Sequence, residues 1–143
     1  MADDDKKYKV LRRPSELSIK LTGDSQAQIL TDAGSALFDL LLVDPTTVET
    51  SESVFLEVEG TDSDELMANW IRELLYAYQM NGYVLKEFVI QETGDYFVRA
   101  EAKGEKCDPD RHEELEDVGA VAGRLCRLDK MGDKWTAQIG FEF

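Results

Sequence analysis

Trp70, Ile71, Arg72, Glu73, Leu74, Leu75 and Tyr76 form the centre of a stretch, residues 62–90, whose reading decides the fold. Leu66, Trp70, Leu74 and Tyr78 recur every four residues, with Ile71 and Leu75 beside them. One stripe of a helix is therefore apolar along its length. Asp62 and Glu65 stand three residues apart where that stripe begins, the spacing at which two side chains satisfy backbone N–H groups of the first turn. The helix is expected to start at Asp62 and to run to about Met80. Asn81, Gly82 and Tyr83 then lead into Val84, a glycine-aromatic turn from helix to strand.

The pattern extends in both directions. Ser25 and Gln28 repeat the capping spacing, and Ile29, Ala33, Ala36, Leu37, Leu40 and Leu41 share one face, which predicts a first long helix ending near Val43, before Asp44 and Pro45. Residues 46–53 are polar and β-branched with no helical period and read as a loop. Val54, Leu56 and Val58 alternate with polar Glu57 and Glu59, as a half-buried strand does. Residues 84–92 and 96–103 read as strands joined through Thr93, Gly94 and Asp95, with the glycine expected to supply a positive φ. Residues 119–128 and 135–143 read as a second hairpin across Lys130, Met131, Gly132 and Asp133. The order is strand, helix, strand, helix and four strands. Strands joined by tight turns pair antiparallel, so the fold class is α+β, with helices on one face of a mostly antiparallel sheet.

A length of 143 residues with 43% hydrophobic side chains suits one domain that buries its own core, expected over residues 8–143. Residues 1–7 are expected to be a disordered acidic terminus. The net charge of -14 repels phosphate, which argues against direct nucleic acid binding and favours a basic protein face or a divalent cation as partner. Cys107 and Cys126 lack the spacing of a disulfide framework, no signal-like stretch follows the acidic start, and the apolar run 40–43 is far too short for a bilayer. A soluble, cytoplasmic protein with both thiols free is expected, with no membrane partner.

The helix at residues 70–76 and the glycine-aromatic turn after it resemble the archease family. Upstream, residues 17–22, Gly23 and Ala36, Leu37 and Phe38 are similar to the family's first long strand, glycine turn and first helix. Downstream, Gly104, Glu105, Asp108, Pro109, Arg111 and His112 are similar to its glycine-glutamate to arginine-histidine loop, and Val118, Ala120 and Val121 to the strand that follows. The resemblance implies two strand-helix-strand-strand modules, one nested in the other. It also implies a metal-binding, chaperone-like accessory protein, not an enzyme, that promotes turnover or guanylylation of a tRNA-splicing RNA ligase, its protein partner.

Site residues follow from the same resemblance. The family's Asp-His-Thr-Ala-Asp signature matches Arg12, Arg13, Pro14, Ser15 and Glu16, where only the final carboxylate is kept. Its second metal-binding acid matches Glu142, with the carboxylate of Phe143 beside it. Oxygen donors converging in this way suit a hard divalent cation such as Ca²⁺ or Mg²⁺, the expected cofactor. The alternative is that Glu16 and Glu142 are two solvated acids among thirty. The family's functional lysine matches Gly119, so that charge is missing; Arg12 and Arg124 are candidates to supply it, but they read first as two exposed surface arginines and no role is assigned to them. Asp108, Arg111 and His112 form the family loop, with His112 expected to hold the loop by hydrogen bonding. No catalytic residues are assigned, because no phosphate loop, nucleophile elbow or ordered triad is present in the sequence. Two rival functions stay open: an interaction module of the same fold without ligase activation, and a small metal-dependent hydrolase.

Overall fold

The computed structural model describes residues 8–143, so the expected disordered terminus at 1–7 lies outside the described residues. The elements run β1 (Tyr8–Arg12), β2 (Glu16–Gly23), α1 (Gln26–Leu41), β3 (Glu52–Glu59), α2 (Ser63–Asn81), β4 (Tyr83–Gly94), β5 (Phe97–Lys106), β6 (Ala120–Val121), β7 (Arg127–Met131) and β8 (Lys134–Glu142). Both helices begin where the capping residues predict. Gln28 donates its backbone N–H to Ser25 Oγ at 3.0 Å, and Glu65 donates to Asp62 Oδ1 at 2.8 Å. Gly82 ends α2 with a φ of 72°, a left-handed conformation that favours glycine.

The strands form two antiparallel sheets rather than one. β3, β5 and β4 make a three-stranded sheet, while β1, β2 and β8 make a second, in which β6 and β7 pair with the free edge of β8. The run β3-α2-β4-β5 thus builds a complete unit, inserted between α1 and β6 of the unit that supplies the other sheet. The reason for two sheets lies in the helices. α1 is covered almost all round: its polar residues Gln28, Thr31, Asp32 and Ser35 are half-buried and Asp39 is its exposed position, so one sheet face alone does not cover it. It packs on β4 of one sheet and on β2 and β8 of the other, and α2 likewise touches β3 and β4 as well as β6, β7 and β8. Trp70, Phe38, Ile29, Met67, Ile139 and Phe141 are among the fully enclosed side chains of the shared core. No helix among the described residues is long and apolar enough to cross a membrane.

Three local expectations need correction. Gly94 has no positive φ; the turn is made by Asp95 and Tyr96, and a side chain at Gly94 would strike the Phe97 ring, so the glycine is there for close approach. The loop expected over 46–53 is entered through a 3-10 turn, Pro45–Thr47, and gives way to β3 at Glu52. The strand expected over 119–128 is broken by a 3-10 turn, Gly123–Leu125, which separates β6 from β7. The break has a packing cause: Leu125 folds over the bare backbone of Gly140, and Gln138 Nε2 donates to the Leu125 carbonyl at 2.8 Å. Cys107 and Cys126 are both free thiols, far apart in environment, with Cys126 buried.

Candidate functional site

Two constellations occupy the positions singled out in the sequence. The first is the loop after β5. Glu105, 7% exposed at the end of that strand, receives Arg111 on both oxygens, Nη2 to Oε1 at 2.6 Å and Nη1 to Oε2 at 3.1 Å, together with the Glu49 backbone N–H at 2.7 Å. His112 is buried beside it. The Asp108 backbone N–H donates to His112 Nδ1 at 2.8 Å, which leaves the ring proton on Nε2 to face Glu105 Oε2 at 3.0 Å. Asp108 completes the loop by accepting the backbone N–H groups of Arg111 and His112 on its carbonyl oxygen and pairing its carboxylate with Arg111 Nε at 3.5 Å.

Both histidine nitrogens are thus engaged within the protein, an arrangement that holds the 105–112 loop against the segment leading into β3. It offers no unengaged base to a substrate. The bidentate guanidinium, with the other donors, lowers the Glu105 pKa to about 2, from an ordinary value of 4.5. A depressed carboxylate pKa adds stability that is fully present above the unfolded value and is lost as pH falls through the folded one. The Tm advantage of the protein over Glu105→Gln should therefore be constant above about pH 5, on the order of several degrees, and should shrink between pH 4.5 and 2. Thermal melts of both proteins across that range measure it, and a gap that does not change with pH would sink the assignment.

The second constellation lies at one end of the five-stranded sheet. The antiparallel register of β2 on β8 sets Glu16 directly opposite Glu142, and Phe143 follows with its backbone N–H on the Ser15 carbonyl at 3.4 Å. Gly119 joins them, because its N–H donates to the Glu142 carbonyl at 3.0 Å. The positions matched to the family's metal-binding acids and to its lysine therefore meet in one place. Arg124, read from the sequence as a surface arginine, stands on the acid pair: its guanidinium is bonded to Glu16 Oε1 and lies 3.8 Å from Glu142 Oε1. Glu16 and Glu142 raise the arginine's pKa further. Arg12 pairs instead with Glu116 at 2.6 Å.

A divalent ion at this place would need carboxylate oxygens turned toward it and clear of other cations. Arg124 is bonded to Glu16 and stands 3.8 Å from an oxygen of Glu142, so its charge already faces both acids. The residues present do not fit the expected Ca²⁺ or Mg²⁺ in this arrangement. The sequence signal that could have exposed Arg124 was weak, since its contact with Glu16 spans 108 residues.

The archease protein family model matches residues 8–142. A Pyrococcus abyssi protein named archease is 33% identical over 139 residues, covering 94% of this chain and 96% of its own length. The namesake from Pyrococcus furiosus is 32% identical over 129 residues, covering 87% and 90%. Among solved structures, a Methanobacterium thermoautotrophicum protein superposes with a TM-score of 0.79 at 20% identity, covering 96% of this chain and 99% of that one. A Thermotoga maritima structure described as an archease, possible chaperone, gives 0.63 at 16% identity, covering 93% and 98%.

Proposed function

The chain belongs to the archease family, and we propose that it acts as a non-catalytic accessory protein that promotes a tRNA-splicing RNA ligase. The observation that carries this reading is the meeting of Glu16, Gly119, Glu142 and Phe143 at one end of the five-stranded sheet, where separate matches to the family's functional positions come together. The net charge of -14 supports a mode of action through the ligase and not through RNA, because the basic side of an RNA-binding enzyme attracts this surface while phosphate is repelled. The Thermotoga maritima relative described as a possible chaperone is in keeping with action on another protein.

A cognate ligase with RNA substrate, GTP and a divalent ion provides the test. Substoichiometric amounts of this protein should accelerate multiple-turnover ligation, roughly tenfold, a rate ratio equal to about 1.4 kcal/mol of barrier, and should leave a single turnover of pre-guanylylated ligase nearly unchanged. Gly119→Lys should raise the stimulation; its Cβ would stand 3.0 Å from the Glu142 carbonyl oxygen, so β8 must yield by a few tenths of an ångström. No stimulation by either protein, with a ligase shown to be competent, would overturn the reading. It would leave a protein-interaction module of the same fold, which the absent lysine at Gly119 favours.

A further inference from the structure

We infer that Arg124 is a built-in cation that takes the place of a divalent ion at the end of the five-stranded sheet, joining Glu16 of β2 to Glu142 of β8 without metal. The register favours a cation here. Two carboxylates directly opposite on antiparallel strands repel one another, and the pairing of Glu16 with Glu142 leaves no residue between them to separate the charges. A guanidinium answers this well, because its Nη2 bonds Glu16 and stands 3.8 Å from Glu142 while the group keeps its charge at every pH the fold survives.

The backbone shows how the arginine is delivered. A continuous strand over 119–128 would carry residue 124 along the β8 edge in regular pairing. The 3-10 turn Gly123–Leu125 interrupts that pairing, and Ala122 and Gly123 accept the backbone N–H groups of Leu125 and Cys126 at 2.9 and 3.0 Å, so the chain pauses with Arg124 over the acids. Gly123 itself lies against the Arg72 guanidinium, and Gly140 admits Leu125 beneath the turn. The arginine is therefore held by the fold, while its side chain stays 60% exposed and presents positive charge to solvent. The nearby Gly119 offers no side-chain charge, and the Arg124 guanidinium is the cation that faces both acids. Given the accessory function proposed above, the prediction is that this sheet end works without an ion of its own.

Thermal melts test the inference independently of any ligase. The protein, the double variant Glu16→Gln with Glu142→Gln, the single variant Arg124→Ala, and the triple combination are melted in EDTA and in millimolar Ca²⁺ or Mg²⁺ at matched ionic strength. The native protein and the double variant should show the same small ion-induced shift, which reports general screening of an acidic surface. Arg124→Ala should lose Tm in EDTA and show an added ion-induced rise of a few degrees, absent from the triple variant, because removing the guanidinium opens the acid pair to a divalent ion. A larger rise in the native protein than in the double variant would mean that an ion binds beside the arginine and would overturn the inference. So would an Arg124→Ala protein whose response matches that of the triple variant.

Discussion

Trp70→Ala is expected to bring this protein to the edge of unfolding. The indole is fully buried, packs edge-on against Phe88 with ring centroids 6.5 Å apart, and donates Nε1–H to the Leu30 carbonyl at 2.9 Å across the interface of α2 with α1. Truncating a buried tryptophan costs about 3–5 kcal/mol in lost transfer energy and cavity. The Leu30 carbonyl sits inside α1 and keeps its intrahelical partner, so loss of the indole donor adds at most about 1 kcal/mol. A loss of ~5 kcal/mol is a large share of the 5–15 kcal/mol that holds a typical domain together, and corresponds to a Tm drop on the order of 15 °C. Trp70→Phe keeps most of the apolar contact and removes the donor, so its loss should be less than half as large. Urea titrations followed by far-ultraviolet circular dichroism give both values. A Trp70→Ala loss below about 1 kcal/mol would mean that the ring is not the keystone between the two helices.

Gly104→Ala should be the second most damaging change. A Cβ at this point of β5 would overlap the Val84 carbonyl oxygen and stand 2.8 Å from Leu85 Cα. Both obstacles are backbone of the neighbouring strand, beside the irregularity between Leu85 and Glu87, so no side chain can swing aside to relieve the clash. The cost should reach about 3 kcal/mol, the upper end for overpacking, and should also disturb Glu105 and the loop it anchors. Gly132→Ala offers the contrast. Gly132 has a φ of 63° in open space, so its loss is conformational alone, about 1 kcal/mol. Melts that rank the two changes in the reverse order would refute the close-approach argument.

Several features were legible because their causes lie within a few residues of one another. Ser25 with Gln28, and Asp62 with Glu65, mark helix starts through bonds that reach three residues, and the structure forms both. Period-four apolar spacing sets the buried stripe of α2, and alternation sets β3, each through the geometry of its own backbone. Gly82 was legible as a helix stop for the same reason. The positive φ assigned to Gly94 failed because a glycine can serve either an unusual dihedral or a close neighbour, and Phe97 was the neighbour.

The residues by themselves therefore determined the two capped helices, the α+β class, and the family membership that places Glu16, Gly119, Glu142 and Phe143 among positions to watch. Tertiary structure alone decided that the strands divide into two sheets, since that depends on both helices packing against strands of each. It also decided the break at Gly123–Leu125, because Leu125 finds its space over Gly140, fifteen residues later in the chain. From that break follows the position of Arg124 on Glu16 and Glu142. Cross-strand register and the seating of one side chain over a distant glycine are long-range outcomes of packing. No local period or spacing encodes them, which is why the charge at the sheet end became visible only in the folded chain.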